Sequence, residues 1–506
     1  MSEASDPGAA AGAPVIPADA VRVDVLIVGA GFAGIGMGIK LARRGRESFV
    51  IIEQADDVGG TWRDNRYPGV ACDIPAHLYS FSFQPNPLWA RIFAEGAEIH
   101  AYLRSCVEQE GLGDRLLLNC ALEQAQWSES DGRWLVRTAR GDFSAANLVV
   151  ATGRLTEPKL PSVENLDEFC GRHWHSAQWN PKVSLVGKRV GLVGTGASAI
   201  QILPRLAAEA GELVVFQRSA PYVLPRGDRF YTRDEMLRFA DDPQAITALR
   251  DELFADAELS IAARRRQHPE IDLLRQRALD HLATQVRDPA LLRQLIPDYE
   301  IGCKRILFSD DYYAALQMDH VRLEPTPLQR AKGSEVTAAS GNTYDVEVLV
   351  FATGFNVTRP SIARHIHGRD SLLLAQRWND GMVAHASTTV DGFPNMYVLD
   401  GPNAALGHNS AIYVIETQID YVLGALDHLA ATAADVLEVT PEAVQSTTRE
   451  IDELARDTVW TQGQCTNWYR DEQTGRVTLL WPDSATSFRK RNGTFDVTAY
   501  RVSSRR

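Results

Sequence analysis

The sequence runs to 506 residues, more than one compact core accommodates, so two or three domains are expected. Its 45% hydrophobic and 23% charged content is ordinary for a globular protein in water, and a formal charge of −13 argues against nucleic acid as a partner. The best candidate for a membrane span, residues 411–429, is interrupted by Glu416, Asp420 and Asp427, so a buried amphipathic helix is expected there and no span anywhere.

Residues 1–20 are rich in Ala, Pro and Gly and lack a basic start followed by an apolar run; a disordered arm is expected, not a secretory signal. Val23 to Val28 is a β-branched run of the kind that forms a buried parallel strand. Gly29, Gly31 and Gly34 follow at G-x-G-x-x-G spacing, then a helical stretch to Gly45 and a second apolar strand, Phe49 to Ile52, that stops at Glu53. Each part has a physical task. Gly29 permits the tight turn, Gly31 lets a pyrophosphate approach the backbone, Gly34 lets helix pack on strand, and Glu53 accepts hydrogen bonds from ribose hydroxyls. The motif repeats. Val190 to Val193 leads into Gly194, Gly196 and Ala199, and the next strand, Leu213 to Phe216, is followed by Arg218 in place of an acid. A cation there suits a 2′-phosphate that an acid would repel. The first unit is therefore read as an FAD site and the second as an NADPH site.

Two strands ending in Ala-Thr-Gly, Ala146 to Gly153 and Val346 to Gly354, return the chain between the two units. Residues 226–297 are densely charged, with apolar positions at helical spacing, and are expected to be a helical insertion in the NADPH domain. The fold class is α/β: two dinucleotide-binding, Rossmann-like domains of the disulfide-reductase and flavin monooxygenase type. The expected partition is 21–155 with 356–506 for FAD and 156–225 with 298–355 for NADPH. Six scattered cysteines (Cys72, Cys106, Cys120, Cys170, Cys303 and Cys465) include no Cys-x-x-Cys pair, which argues against a disulfide framework and against a metal site. A cytoplasmic location follows from that cysteine usage.

Three further stretches carry a family resemblance. Phe169, Gly171, His175 and Trp179 fit F-x-G-x-x-x-H-x-x-x-W, which resembles the fingerprint of type I Baeyer–Villiger monooxygenases. The related flavin-containing N- and S-oxygenases usually carry Tyr where Trp179 stands, and Asn180 replaces the usual Pro or Asp after it. GGTWRDNRYPGVACDIPAHLYSFSF (Gly59 to Phe83) resembles the segment that wraps the flavin in that family. The resemblance implies Thr61, Trp62, Asp73 and Tyr79 beside FAD, with Asp73 at the active centre. Pro297 to Leu316 resembles the segment with the family's active-site Lys-Arg pair, here Lys304 and Arg305, and Trp468 in CTNWY matches a position used against the nicotinamide nucleotide. The wording ACDIPAHLYSFSF is similar to the 4-hydroxyacetophenone monooxygenase branch, without that branch's N-terminal extension. The likeness extends from residue 21 to about residue 500.

The resemblance implies an NADPH- and O2-dependent enzyme that inserts one oxygen atom next to a ketone carbonyl, through a peroxyflavin, to give an ester or lactone. Arg305 and Asp73 are the expected catalytic pair. FAD is assigned to Gly29, Gly31, Ala33, Gly34, Glu53, Thr61, Trp62, Asp73, Tyr79 and Leu122. NADPH is assigned to Thr195, Gly196, Ala197, Ser198, Ala199, Gln201, Arg218, Ser219, Lys304 and Trp468. His175, flanked by Trp174 and Trp179, is assigned to coupling domain motion with cofactor binding, not to proton transfer. Asn409 or Ser410 is expected to cap a helix whose N-terminus faces the flavin pyrimidine. Two other readings stay open at this point: an N- or S-oxygenating flavin monooxygenase, and an NADPH-dependent flavin reductase without oxygen insertion. A non-catalytic flavin-binding sensor is a third.

Overall fold

The computed structural model describes residue 17 and residues 19–504, so the arm expected at residues 1–20 lies almost wholly outside the described residues. The first unit opens with β1 (Val21–Val28), α1 (Phe32–Arg43) and β2 (Phe49–Ile52). It continues through β3 (Leu116–Leu117), β4 (Leu122–Ser128), β5 (Arg133–Thr138) and β6 (Gly141–Val150). In space the strands run Ile366–His367, β4, β5, β6, β1, β2, β3, with Met396–Val398 added beside β6. The pairs β1–β2 and β1–β6 are parallel, in a register that sets Ile27 beside Ile51 and Val28 beside Val150. The inner half of β1 is buried on both faces, which is why it is an unbroken apolar run and not an alternating one.

The second unit is a five-stranded parallel sheet. β7 (Arg172–His175) is its edge, followed in chain order by β8 (Arg189–Val193), β9 (Glu212–Phe216), β10 (Val321–Glu324) and β11 (Val348–Phe351). Their spatial order is β10-β9-β8-β11-β7, every neighbouring pair parallel. α2 (Ala197–Glu209) packs on this sheet.

Between the two halves of this sheet the chain makes the helices Arg233–Asp241, Pro243–Leu259, Glu270–Gln285 and Pro289–Leu295. Their starts are written locally. Thr232 and Glu235 form a reciprocal capping box, and Asp242 and Asp288 each cap a helix that begins with Pro. The helices straddle the two cores. Phe239, Ile246, Ala263, Ile271 and Ala278 join the core of the first unit, whereas Leu282, Val286 and Leu295 join that of the second. Arg250 fastens the insertion to the first unit by donating to the carbonyls of His77 and Ser80.

α3 (Ala411–Thr432) is the amphipathic helix expected at 411–429. It is buried along most of its length, and its Glu416 accepts from Ser82 N and Oγ. No helix among the described residues is long and apolar enough to cross a membrane. One cysteine expectation is corrected: Cys303 and Cys465 are joined by a disulfide, while Cys72, Cys106, Cys120 and Cys170 are free. The partners lie 162 residues apart, so no local spacing announces the bond. Among the described residues no group of acids, histidines and cysteines could hold a metal ion.

Candidate functional site

The first glycine loop is shaped by what a side chain would strike. Gly29 sits at φ +106°, and a Cβ there would lie 2.6 Å from the Ala151 carbonyl oxygen. A Cβ on Gly34 would lie 1.8 Å from the Gly29 carbonyl oxygen, so α1 packs directly on the turn. Gly31, the N-cap of α1, has only the Cα of Gly60 nearby, at 3.8 Å. Two bare backbones thus face each other at the helix N-terminus, and this cradle fits a pyrophosphate. Ala33 is buried in the first turn. Glu53 lies at the end of β2, where its carboxylate accepts from Ala30 N at 2.9 Å and Ala55 N at 3.0 Å and pairs with Arg63 at 3.0 Å. Arg63 itself is buried and also holds Asp64. Thr61 and Trp62 begin the short helix Thr61–Asp64, and Trp62 Nε1 donates to the Tyr79 hydroxyl at 3.3 Å. Leu122 begins β4 and packs against the first core.

The second loop repeats the geometry with a looser finish. Gly194 has φ +111°, with its Cβ position 2.5 Å from the Ala352 carbonyl oxygen, while a Cβ on Gly196 would meet open space. Gly196 is the N-cap of α2, Ala197 and Ser198 form its first turn, and Ala199 is buried. Thr195 Oγ1 donates to the Ser219 carbonyl at 2.9 Å. Arg218 is exposed and has no hydrogen-bond partner among the described residues. Lys304 Nζ donates to Ser219 Oγ at 2.5 Å and lies 4.6 Å from the centre of the Tyr299 ring. Burial, and then the charge of Arg218, hold the Lys304 amine below its usual range. Lys304 on Ser219, with the charge of Arg218 acting on Lys304, makes a positive locus suited to a dianion. Gln201 looks the other way: it accepts from Tyr67 Oη at 3.0 Å and donates to Ala71 O at 2.9 Å, tying α2 to the first unit.

Asp73 and Arg305 meet between the units. Arg305 Nε and Nη2 donate to the two carboxylate oxygens of Asp73, both at 2.7 Å, in the side-on bidentate form. The side chains are recessed, at 27% and 25% exposure. Burial alone would raise the Asp73 carboxyl, but the charge and hydrogen bonds of Arg305 override it and hold it below the usual carboxylate range. Arg305 is affected in the opposite sense: burial would weaken its hold on the proton, and Asp73 more than restores it. Tyr469 is buried, burial raises its pKa and the charge of Arg305 opposes that rise; its ring is 4.7 Å from that of Trp468. The disulfide joins Cys303, next to Lys304, to Cys465 in the Trp468 loop. The two loops are thereby covalently one.

The fingerprint residues lie on and beside edge strand β7. A Cβ on Gly171 would fall 2.4 Å from the Phe169 ring, and Trp179 packs edge-on against Trp174. His175 is fully buried, with its ring against Phe355. Its Nδ1 accepts from Ala177 N at 3.1 Å, which assigns the proton to Nε2. Burial, opposed by the Gly354 backbone, lowers the ring's pKa and keeps it neutral. Ser410, not Asn409, caps α3, with Oγ accepting from Ile412 N at 3.2 Å, while Asn409 donates to Glu258.

Sequence reading did not single out Arg63, Tyr469, or the half-buried Arg154–Asp400 pair at 2.6 Å. Only Tyr469 carried a clue, from its position beside Trp468.

Known proteins are similar to this chain in sequence and fold. Residues 27–95 match the model of an NAD(P)-binding Rossmann-like domain. A Baeyer–Villiger monooxygenase of Streptomyces coelicolor is 40% identical over 482 residues, which is 95% of this chain and 93% of the relative. The NADP+-bound structure of cyclohexanone monooxygenase from Rhodococcus sp. Phi1 superposes with a TM-score of 0.85 at 25% identity, over 96% of this chain and all of that one. A structure of OTEMO in complex with FAD and NADP gives a TM-score of 0.84 at 25% identity, again over 96% of this chain and all of that one.

Proposed function

The chain belongs to the flavin-dependent Baeyer–Villiger monooxygenases, and we propose that its recessed Asp73–Arg305 pair is the oxygenation centre. It is an FAD- and NADPH-dependent enzyme that inserts one oxygen atom of O2 next to a ketone carbonyl, giving an ester or lactone. We assign FAD to residues 21–155 and 356–506, and NADPH to 156–225 and 298–355, with 226–297 as the helical insertion. The Gly31–Gly60 cradle and Glu53 fit the adenosine diphosphate part of FAD, and Gly196, Arg218, Ser219 and Lys304 fit the phosphates of NADPH. When bound, the pair of cofactors supplies hydride transfer and activation of O2.

The chain's own residues do the rest. Arg305 remains ionised and spends one edge of its guanidinium on Asp73, so the other edge is left to donate to the ketone oxygen as negative charge develops there. Asp73 orients Arg305 and offsets the cost of recessing its charge. Buried Tyr469 is electrostatically coupled to Arg305. Edge strand β7, with neutral His175 and Trp179 at its end, joins the second sheet to the connection between units and couples their motion. Within the family, segment Ala71 to Phe83 favours the 4-hydroxyacetophenone monooxygenase branch, so an aryl ketone is the first substrate to try.

The single observation that carries this reading is the bidentate pair. Arg305→Ala is expected to retain yellow, FAD-bound protein and to lose about 10²–10³ in the rate of ester formation, as removal of a positioned oxyanion donor does. Product analysis of NADPH-driven turnover checks it, and undiminished ester formation would remove Arg305 from the centre.

A further inference from the structure

Arg264 stands out on charge. It ends the short helix Ile261–Arg264 of the insertion and is 7% exposed. Its Nη1 donates to the Ser260 carbonyl and its Nη2 to the Gly407 carbonyl, both at 2.9 Å. Its Nε–H has no partner among the described residues, and no described carboxylate pairs with it. Glu258 is already engaged by His408, Asn409, Ala485 and Thr486.

Two glycines make room for this side chain. Its Cγ lies 3.6 Å from the Cβ position of Gly302, three residues before Arg305, and its Nε lies 3.4 Å from the Cβ position of Gly407. The guanidinium is therefore threaded between the loop that carries Arg305 and the loop that leads into α3. Burial depresses its pKa to about 10; the Tyr469 hydroxyl acts against that shift and the charge of Arg305 adds to it. The carboxylate of Asp73 is already spent on Arg305, and the charge of Arg226 also acts on it. A desolvated cation without a counter-anion costs stability unless an anion arrives to complete it.

Resting on the reading of Asp73–Arg305 as the oxygenation centre, we propose that Arg264 is a specificity-determining residue that receives a carboxylate borne by the ketone substrate. The enzyme's preferred substrates are then keto acids whose anionic group sits on the insertion side of the pocket while the carbonyl faces Arg305. Backbone carbonyls hold two of the guanidinium nitrogens and fix its plane, and they leave the Nε–H without an acceptor among the described residues.

The test compares 4-acetylphenylacetate with its methyl ester. The methylene insulates the ring from the carboxylate, so the two reacting carbonyls are electronically alike and differ in the remote charge. The quantity read is the ratio of kcat/KM for acid over ester, in which any general loss of activity cancels. In the wild type the ratio is expected to exceed one by about tenfold or more, the worth of a buried charge-assisted hydrogen bond, expressed mainly in KM. Arg264→Gln is expected to collapse the ratio, and Arg264→Lys to keep most of it. A wild-type ratio near one, or a high ratio that survives in Arg264→Gln, overturns the proposal. So does a change in Arg264→Gln confined to the KM for NADPH, which would make a coenzyme phosphate the anion. If the glutamine variant loses its flavin, the wild-type ratio and the lysine variant still decide. Failure here leaves ester formation from both ketones, whereas failure of the oxygenation reading leaves none from either.

Discussion

The two glycine loops share a backbone plan and differ in how they are finished. In the first, the acid at the strand end is locked: Glu53 is held by two backbone N–H groups and by buried Arg63, and Gly60 closes over Gly31. In the second, the corresponding position is the exposed and unpartnered Arg218, and Gly196 looks into open space. On the proposed assignment, the first is a site built around a permanent occupant, and the second, with Arg218 unpartnered among the described residues, suits a ligand that comes and goes. The same motif would then serve a prosthetic group and a co-substrate, with the flanking side chains deciding which.

The largest expected effect breaks the first loop and spares the second. Gly29→Ala places a Cβ 2.6 Å from Ala151 O at φ +106°. The left-handed backbone alone costs about 1–2 kcal/mol, and the overlap adds to it, so colourless protein is expected on purification. Gly196→Ala meets no atom; it should stay yellow, with a raised KM for NADPH because the added methyl stands where the pyrophosphate approaches. Absorbance at the flavin band against 280 nm reads both, and equal flavin loss in the two variants would erase the contrast. Next, Arg218→Ala is expected to raise the KM for NADPH by roughly 10–100-fold, the worth of a charged hydrogen bond, and to leave that for NADH nearly unchanged. Steady-state kinetics with both coenzymes checks this, and parallel shifts would remove the 2′-phosphate assignment.

The smallest effect concerns the seam between insertion and first unit. His77 is buried against Tyr231 and Phe239, with both ring nitrogens unpartnered. Burial, then the charge of Arg250, lowers its pKa to about 4. Between that value and about 6.5 the unfolded chain binds the proton and the folded one does not, so stability present at neutral pH falls as pH falls through this window. At pH 5 the loss is about 2 kcal/mol from this residue. His77→Phe should flatten the acid limb of the melting temperature; an unchanged limb would show that the ring titrates freely.

Much of this was legible because glycine loops are local. Gly29, Gly31, Gly34 and Glu53 lie within one strand-loop-helix-strand unit, and their spacing encodes the geometry later found. The pairing of Asp73 with Arg305 was legible only through family resemblance, since the two are 232 residues apart and neither side chain has a local reason to be charged. The insertion's helices were written in their caps, but its division between two cores was not, because an apolar stripe does not name what it packs against. The Cys303–Cys465 bond and the turning of Gln201 toward Tyr67 are likewise products of tertiary approach.

The Asp73–Arg305 contact joins a residue of the first unit to one of the second, and this sets a mechanical tolerance. Charged N–H···O bonds hold at about 2.7–2.9 Å and fade by about 3.2 Å. A swing that separates the two loops by about half an ångström at this point therefore disarms the guanidinium, and a return of the same size re-arms it. On the role proposed for Arg305, the pair would act as a proximity gauge: the carbonyl chemistry would be available only while the two units are in register at this single salt bridge.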